Sequence, residues 1–558
     1  MELENTIRKY VLQNAIKFNG KANPGAIMGK VLGEDPSLRS KGKEVNQMIL
    51  AIVKEVNALG VERQTELLTD LAPKLLEKKE HKEKDIYAFL DINDDDKIVT
   101  AFPPEPSKYP HIGHAKSLLL NYELAKRYNG RFQLRFDDTN PDLAKEEFYD
   151  IHKDNYKWLG IQWDEMLIAS DYMEKFYELA EKLVKDGNAY MCQCQSEQIK
   201  DARMKGIGCR CREKTPDENL DEWHRMGEME EGSIILRMKI NMAHKNSTMR
   251  DPAIMRIMDK PHAMTGEKYR VWPNYDFETT VMDALCGVTH RLRTKEFELR
   301  NELQRHIQRT LGFKETFYYE LARFNMTGVL SSGRAIRDMI EKGELVGWDD
   351  PSLTTLVALR RRGFLPKALL DFVRSTGMTK NEATLTWDDL ILHNRRLLEE
   401  SADRFFFVED PESIEIKGAP AQDIEMDLHP DHRKGGRKMK TNSRFYVTKN
   451  DLASLPDGKM SRLMDCVNFI KKRDSYAFDS TEHTRFRGSD GKIIHWVAAS
   501  DDLISVEVMM PDKSVRKGFA EPGVASVNVG DVIQFERFGF CRLDSVDGEV
   551  RKFWYTHK

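Results

Sequence analysis

Two histidines, His111 and His114, flank a glycine in the segment Pro110–His114 (PHIGH). A strand pattern precedes this segment and a helix pattern follows it, so the segment predicts a loop that ends at a helix N-terminus. Such a terminus presents free backbone N–H groups and the positive end of the helix dipole, and both attract phosphate. Gly113 allows a ligand to approach the backbone, and the imidazoles can donate hydrogen bonds to phosphate oxygens as charge develops. The spacing therefore indicates phosphoryl-type chemistry, but two ordinary surface histidines would give the same letters.

Four of the seven cysteines form two C-x-C pairs, Cys192 with Cys194 and Cys209 with Cys211. Four thiolates can surround one Zn²⁺ ion tetrahedrally, which gives a closed structural site without an open position for catalysis. The alternative is four reduced cysteines in a hairpin, because C-x₂-C is the commoner zinc spacing. The odd number of cysteines argues against a disulfide scaffold.

The elements around the histidines form a βαβ pattern. Lys97–Thr100 reads as a strand, and the next strand is predicted over Arg131–Asp138, where Phe132, Leu134 and Phe136 alternate with polar residues. Between them lies an amphipathic helix whose apolar positions are Ala115, Leu118, Leu119, Tyr122 and Ala125. A strand, a glycine-containing loop, a helix and a strand in this order predict a parallel, doubly wound sheet.

The rest of the chain contains two regions with helical patterns and one region with strand patterns. Residues 1 to about 80 read as helical, with one apolar stripe at Ile49, Ile52, Val53, Val56 and Leu59, and the charged run Lys74–Asp85 indicates a linker. The middle, about 335–400, reads as helical again. Beyond it, short alternating strands with the hairpin turn Asp547-Gly548 predict β-barrels. Their alternating pairs are Ile494/Trp496, Val506/Val508 and Ile533/Phe535.

The composition describes a globular chain of several domains, with 558 residues, 40% apolar and 32% charged. The sequence has neither a membrane-span pattern nor a signal-peptide pattern, so we expect a cytoplasmic protein. A net charge of −4 gives no hint of nucleic acid, although a basic groove can exist on such a protein. The basic runs Arg360–Arg362 and His432–Lys438 could serve such a groove or be solvated faces.

Longer segments match one family. FPPEPSKYPHIGHAKS (102–117) and LRFDDTNP (134–141) resemble the class I aminoacyl-tRNA synthetases that handle glutamate and glutamine. His111–His114 matches the adenylate-forming motif of that family. The resemblance is close to continuous from about residue 93 to the end, through MRDPAIMRI (249–257), YDFETTVMDAL (275–285), GVTHRLRTKEF (287–297), GWDDP (347–351), GKIIHWV (491–497), KGFAEP (517–522) and DVIQFERFGFCRLD (531–544).

The resemblance implies a Rossmann-type catalytic domain with a parallel sheet, a helical N-terminal extension like that of archaeal glutamyl enzymes, and two C-terminal β-barrels that read the anticodon. Bacterial glutamyl enzymes carry a helical anticodon-binding domain instead. We therefore expect these spans: 1–85, helical extension; 86–184, first half of the catalytic domain; 185–265, acceptor-end-binding insertion with the cysteine cluster; 266–340, second half of the catalytic domain; 341–400, helical subdomain; 401–558, anticodon-binding barrels.

The resemblance also implies the roles of individual residues. ATP binding falls to Pro104, Glu105, His111, Gly113, His114, Arg323, Phe324 and Leu330. Catalysis falls to His111, His114, Ser331 and Arg334.

Substrate binding is implied for Asp137, Tyr275, Thr279 and Arg293. Glutamyl enzymes have an arginine at the last position, where glutaminyl enzymes typically have an uncharged residue. A guanidinium pairs with a carboxylate, whereas facing an amide it would be a buried, unpaired charge. Arg293 could instead form a structural ion pair with Glu296 or Asp283, and Asp137 could be a turn cap.

Two positions depart from the pattern. Ala101 stands before FPPEP, where the family usually has an arginine that holds the substrate. In the mobile loop after Arg323, Ser332 aligns with the lysine that normally stabilises pyrophosphate. Arg334, two positions on, could serve through a shifted loop.

We therefore expect ATP-dependent activation of glutamate and its transfer to tRNA(Glu), with tRNA(Gln) as a second acceptor if the barrels tolerate both anticodons. ATP with Mg²⁺ and one structural Zn²⁺ are the expected cofactors, and we expect a monomer. The alternatives are a glutaminyl enzyme, which Arg293 opposes, and a catalytically impaired tRNA-binding protein, which only Ala101 and Ser332 favour.

Overall fold

The computed structural model describes residues 2–18, 20–75, 86–90, 92–93, 96–330 and 332–558. The chain divides into two compact units, Met1–Asp85 and Ile86–Lys558. Most of the expected linker (76–85) and the predicted catalytic residue Ser331 lie outside the described residues. Within those residues, no helix combines the length and the apolar character that a membrane span requires.

The first unit is helical, as predicted. The apolar stripe lies on the third helix, where Ile49, Ile52, Val53 and Val56 are buried, whereas Leu59 follows the end of that helix. The helices are α1 (Glu2–Lys17), α2 (Met28–Glu34), α3 (Gly42–Val56) and α4 (Val61–Leu71).

The second unit begins with alternating strands and helices. They are β1 (Val99–Phe102), α5 (Ile112–Arg127), β2 (Arg131–Phe136), α6 (Glu146–Trp158), β3 (Glu165–Ile168) and α7 (Met173–Lys185). A four-stranded antiparallel sheet follows. Its strands are β4 (Ala189–Cys192), β5 (Ile235–Met238), β6 (Ala253–Ile257) and β7 (Val271–Pro273). The helices α8 (Ser196–Lys205) and α9 (Pro216–Arg225) lie between β4 and β5 in the sequence. The chain then forms α10 (Tyr275–Leu285), β8 (His290–Thr294), α11 (Asn301–Leu311) and β9 (Phe317–Leu321).

The parallel sheet has the order β3-β2-β1-β8-β9, and every neighbouring pair is parallel. The strand order reverses between β1 and β8, and ligands of such sheets bind outside the carboxyl ends at this point. The predicted doubly wound sheet is thus confirmed. The expected polar face of β2 is wrong, because Gln133 and Arg135 are buried with their apolar neighbours. Helices cover both faces of a parallel sheet, so no face of its central strands reaches water.

The stretch between the parallel sheet and the C-terminal strands is mainly helical, as predicted. Its elements are β10 (Phe324–Met326), α12 (Gly333–Glu341), α13 (Leu356–Arg362), α14 (Pro366–Ser375), β11 (Ala383–Leu385) and α15 (Trp387–Ser401).

The C-terminal part contains two seven-stranded sheets and the hairpin β15-β16. Its elements are β12 (Arg404–Phe405), β13 (Phe407–Glu409), β14 (Pro411–Lys417), β15 (Asp423–His429), β16 (Arg433–Lys440), β17 (Arg444–Thr448), α16 (Lys449–Ser454), β18 (Met460–Leu463), β19 (Asn468–Lys472), β20 (Ser475–Ser480), α17 (His483–Phe486), β21 (Ile493–Ile494), β22 (Val497–Ala498), β23 (Ile504–Met509), β24 (Val515–Ala520), β25 (Val532–Phe535), β26 (Gly539–Asp547) and β27 (Val550–His557).

Each seven-stranded sheet closes on itself. One has the order β12-β25-β26-β27-β23-β24-β13, and the other β21-β18-β19-β20-β14-β17-β22. The two edge strands of each sheet are consecutive in sequence, so one bent segment (404–409 or 493–498) pairs with both sides. Such closure removes free strand edges, and it confirms the predicted β-rich C-terminal part.

Three arginines of the two basic runs form contacts between elements of the second unit. Arg361 pairs with Asp544 at 2.7 Å, and the buried Arg362 donates to the carbonyl oxygen of Thr556 at 2.7 Å. In the second run, the buried Arg437 pairs with Glu521 at 2.8 Å. At these three arginines the solvated face considered from the sequence is wrong, because their charges are used between elements of the second unit. The RNA groove stays a prediction.

Candidate active site

A cavity of about 870 Å³ opens at the carboxyl ends of β1, β2 and β8. It is the size of a small-molecule site and lies where the strand order reverses. Ten of the residues predicted for ATP or substrate lie in its lining: Pro104, Glu105, His111, Gly113, His114, Asp137, Tyr275, Arg293, Arg323 and Phe324.

The two histidines stand at the start of α5. His111 is the residue before the helix, and its Nδ1 accepts from the backbone N–H of Gly113 at 3.0 Å. The Nδ1 of His114 accepts from the backbone N–H of His111 at 3.1 Å. Because both Nδ1 atoms accept, each neutral ring carries its proton on Nε2. Both rings therefore keep an N–H donor for a ligand in the cavity.

Burial keeps these rings neutral. It lowers the pKa of His111 to about 3, with further lowering by Lys108, and it lowers the pKa of His114 well below its usual value. Gly113 makes the arrangement possible, since a Cβ there would lie 2.7 Å from Cε1 of His111. The motif thus forms a compact pair of neutral donors at a helix N-terminus.

A buried ionic network holds Asp137. Its Oδ1 accepts from Nε of Arg135 at 2.7 Å, and Arg135 also donates to Asp283 at 2.8 Å. Arg291 shares Asp283 at 2.6 Å. Asp137 is therefore fixed by charge-assisted hydrogen bonds at the cavity wall. This is an ion-paired position rather than a simple turn cap, and the carboxylate can still accept from a substrate ammonium.

Arg293 is buried at the end of β8 and forms no ion pair with any residue that the structure describes. Its Nη2 donates to Oδ1 of Asn301, while Nε and Nη1 have no hydrogen-bond partner among the described residues. The guanidinium lies 4.2 Å from the ring centroid of Tyr318 and 5.4 Å from that of Phe297.

The structural ion pair considered for Arg293 is thus wrong. Asp283 binds Arg135 and Arg291, and Glu296 binds Arg323. A buried guanidinium with two free donors is matched by a carboxylate, which can accept from both.

A model of the catalytic domain of class I tRNA synthetases (E and Q) matches residues 97–400. Models of the anticodon-binding domain of the same class match residues 402–486 and 493–544. The chain belongs to the class I tRNA synthetases for glutamate and glutamine.

Full-length relatives within this synthetase family are named glutamate–tRNA ligases. The one from Pyrococcus abyssi is 40% identical over 575 residues, and the one from Methanothermobacter thermautotrophicus is 38% identical over 558 residues. Both matches cover 100% of each chain. Among solved structures, a glutamate tRNA ligase from Elizabethkingia meningosepticum in complex with its amino acid matches 55% of this chain and 70% of that one, with 17% identity and a TM-score of 0.41.

Helix α10 of the synthetase domain contributes two predicted residues with different surroundings. Tyr275 lines the cavity, and its ring packs on Phe297 with centroids 5.3 Å apart. Thr279 is fully buried behind the wall, where its hydroxyl accepts from Arg135 at 3.0 Å and from Arg291 at 3.3 Å. Thr279 therefore helps to hold Arg135 and Arg291 in place, and it does not line the cavity.

Three of the predicted ATP residues, Pro104, Arg323 and Phe324, contact neighbouring segments of the cavity lining. The carbonyl oxygen of Pro104 accepts from the backbone N–H of Asp137 at 3.2 Å, which joins the segment after β1 to that after β2. Arg323 is exposed and pairs with Glu296. The ring centroid of Phe324 lies 5.0 Å from Nζ of Lys116.

The departures from the synthetase pattern have local explanations. Ala101 is fully buried in β1 and does not line the cavity. The cavity lining contains four arginines: Arg256, Arg291, Arg293 and Arg323. Leu330 lines a smaller adjoining cavity. Ser332 precedes α12, and its Oγ accepts from the backbone N–H of Ala335 at 3.4 Å. Arg334 is exposed and lines neither cavity, so its predicted role would require the loop to move.

The four cysteines come together at the end of β4. Their Sγ atoms all lie within 4.8 Å of one another, with Cys192 3.8 Å from Cys209 and Cys194 3.9 Å from Cys211. A tetrahedron with Zn–S bonds of about 2.3 Å has S···S edges of about 3.8 Å, whereas a disulfide would need about 2.05 Å. Nη1 of Arg237 lies 3.7 Å from Sγ of Cys192 and favours thiolate charge. The donor set therefore fits one closed tetrahedral metal site.

Among the cavity residues that sequence reasoning missed are four ionisable ones, Lys108, Lys116, Arg256 and Glu278. Burial lowers the pKa of Lys116 to about 8, and its Nζ donates to the carbonyl oxygen of Ala322 at 3.1 Å. Burial and the charge of Asp137 raise the pKa of Glu278 well above its usual value. Glu278 follows Tyr275 by three positions on one helix face, so helical spacing was the signal that could have found it.

Proposed function

We propose that this chain activates L-glutamate with ATP to glutamyl-adenylate and transfers the glutamyl group to the 3′ end of tRNA. The single observation that carries the amino-acid specificity is Arg293, a buried guanidinium in the cavity with two donors that have no hydrogen-bond partner in the part of the chain that the structure describes. Glutamine would leave that charge unpaired, whereas the γ-carboxylate of glutamate neutralises it. The full-length relatives named as glutamate–tRNA ligases support the same choice.

The first step is an in-line displacement. An oxygen of the α-carboxylate attacks the α-phosphorus of ATP, and the bond to the bridging oxygen breaks as pyrophosphate leaves. Such a reaction requires positioning and charge stabilisation more than covalent catalysis. We assign the Nε2–H donors of His111 and His114 to the phosphate oxygens, where negative charge increases in the transition state. Mg²⁺, which class I synthetases use with ATP, neutralises phosphate charge when bound.

The second step transfers the activated group. A hydroxyl of the terminal ribose of tRNA attacks the carbonyl carbon of the adenylate, AMP leaves, and the hydroxyl proton is released. Asp137 is proposed to hold the substrate ammonium in both steps, because its carboxylate is fixed by Arg135 at 2.7 Å at the cavity wall. Tyr275 completes the amino-acid pocket beside Arg293.

We assign the span 185–265 to the tRNA acceptor end and propose one structural Zn²⁺ ion in it. Cys192, Cys194, Cys209 and Cys211 would hold the ion and fasten the loop containing α8 to the end of β4. The ion would stiffen this insertion and take no part in catalysis, because four thiolates leave no open position.

The barrels in 401–558 are proposed to read the anticodon, which the matches to anticodon-binding models support. We propose tRNA(Glu) as the acceptor and tRNA(Gln) as a second one. The remaining sequence-based boundaries, the cytoplasmic location and the monomeric state stay predictions. The impaired tRNA-binding alternative is disfavoured because both histidines keep free donors in the cavity.

The proposal is tested by ATP–pyrophosphate exchange with each amino acid in turn. The reactions should contain tRNA whose terminal ribose has been oxidised, so that transfer cannot follow activation. We expect exchange with glutamate and none with glutamine at equal concentration. Exchange driven by glutamine would identify a glutaminyl enzyme, and the absence of exchange with either amino acid would support the impaired alternative.

A further inference from the structure

The cavity of the active site contains a lysine, Lys108, that has no assigned role and whose ammonium has no hydrogen bond or ion pair within the described part of the chain. Lys108 lines the main cavity together with His111 and His114, and it also lines the smaller cavity together with Leu330 and Gly333. It therefore lies between the phosphate-binding start of α5 and the start of α12.

The aliphatic part of Lys108 rests against the beginning of α12. A Cβ on Gly333 would lie 2.9 Å from Cδ of Lys108 and 3.6 Å from its Cβ. Gly333 is the first residue of α12, whose N-terminus is capped by Ser332. Two helix N-termini, both attractive to phosphate, thus face the same lysine side chain.

The backbone of Lys108 is held in place. Its carbonyl oxygen accepts from Nε2–H of the buried His152 at 2.8 Å, and Nδ1 of that ring accepts from the hydroxyl of Tyr156 at 2.6 Å. The next residue, Tyr109, stacks on Trp348 with ring centroids 5.2 Å apart. The side chain therefore projects from a fixed position.

The ammonium of Lys108 forms no hydrogen bond or ion pair with the described part of the chain, in contrast to three neighbouring cations. Lys116 donates to a carbonyl oxygen, Arg291 pairs with Asp283, and Arg323 pairs with Glu296. Lys108 is also close enough to lower the pKa of both catalytic histidines. The ammonium of Lys108, which lies beside the proposed phosphate donors of His111 and His114, is therefore suited to bind an anionic ligand.

We propose that Lys108 binds the β- and γ-phosphates of ATP and stabilises the charge that develops on the leaving pyrophosphate. This inference rests on the proposed function, because it assumes displacement at the α-phosphorus. It gives Lys108 the charge-stabilising task that the sequence pattern would place at Ser332, whose hydroxyl here caps α12. Arg334 is the competing group, but it is exposed and lines neither cavity.

The test compares Lys108→Met, which keeps the stem and removes the charge, with Lys108→Arg. Glutamate-dependent exchange is measured with oxidised tRNA, with kcat and the KM values for ATP and glutamate determined separately. We expect kcat to fall about 100-fold in Lys108→Met, as for the loss of one transition-state donor. The KM for glutamate should not change, and Lys108→Arg should retain most activity. Lys145→Met, which removes an exposed lysine nearby, is the matched control.

A second experiment places a positive charge in the loop before α12 of a protein that lacks the charge of Lys108. Ser332→Lys placed in the Lys108→Met background should restore at least part of kcat, a result that a merely structural role of Lys108 would not give. A kcat for Lys108→Met within threefold of wild type would overturn the proposal. So would a large loss confined to Arg334→Met. If the wild-type chain itself shows no glutamate-dependent exchange, the proposed function fails instead.

Discussion

Replacing Arg293 with glutamine removes the charge proposed to select glutamate. In the wild type, two donors of this guanidinium have no hydrogen-bond partner among the residues that the structure describes. A hydrogen bond to a charged group contributes about 1.5–3 kcal/mol, so the loss of two such bonds costs about 3–6 kcal/mol. At about 1.4 kcal/mol per tenfold change, kcat/KM for glutamate should fall by about 10²–10⁴.

The assay measures kcat/KM for aminoacylation with glutamate and with glutamine. Arg309→Gln is the matched control, since Arg309 is exposed and pairs only with Glu315 at 3.0 Å among the described residues. That variant should stay within about twofold of wild type, because surface ion pairs contribute little. The reasoning is refuted if Arg293→Gln keeps kcat/KM for glutamate within threefold of wild type.

Measurements of the Tm of Arg293→Gln distinguish a role of Arg293 in substrate binding from a role in stabilising the fold. Without substrate, the buried Arg293 has no carboxylate partner, so Arg293→Gln should leave Tm unchanged or raise it. Added glutamate with ATP should raise the Tm of the wild type more than that of the variant. A fall of several degrees in the Tm of the unliganded variant would indicate that Arg293 mainly stabilises the fold.

Three further predictions concern the histidine pair and the cysteines. Gly113→Ala places a Cβ 2.7 Å from the ring of His111 and should lower kcat for exchange about 100-fold while Tm changes little, as kinetics and thermal melts will check. The pKa of His111 is lowered from 6.5 to about 3, so protonation favours the unfolded chain below pH 6.5. The free energy of unfolding should therefore fall from pH 7.5 to pH 5, and in denaturant titrations His111→Asn should reduce that fall by up to about 2 kcal/mol. Cys192→Ser should remove about one zinc per chain in metal analysis and lower Tm, whereas Cys286→Ser, outside the cluster, should keep the metal; equal zinc content in the two variants would exclude the site.

Much of the fold could be predicted because local patterns and long-range packing agree. The helix after His111 has apolar residues at helical spacing, and the same residues face the sheet. The short strands after residue 400 alternate as barrel strands do. Periodicity failed at Gln133 and Arg135, where polar residues in a strand are buried. Arg135 is stabilised by Asp283, which is distant in sequence, and no local pattern contains that pairing.

The site could be predicted where residue type alone restricts the chemistry. His111 and His114 belong to this class, and the structure places both in the cavity lining. The four cysteines also belong to it, and their Sγ atoms lie within 4.8 Å of one another. Arg361, Arg362 and Arg437 show the limit, since a basic run reads the same whether its charges face RNA or carboxylates elsewhere in the chain. Lys108 was missed for the related reason that an unpaired cation is recognised only when its neighbours are known.

The most direct test of the central claim is aminoacylation of purified tRNA(Glu) and tRNA(Gln) with each amino acid in turn. We predict that the chain attaches glutamate to tRNA(Glu), and to tRNA(Gln) as well, and that it attaches glutamine to neither. Attachment of glutamine, or no glutamate on either tRNA under conditions in which the protein is folded, would contradict the account.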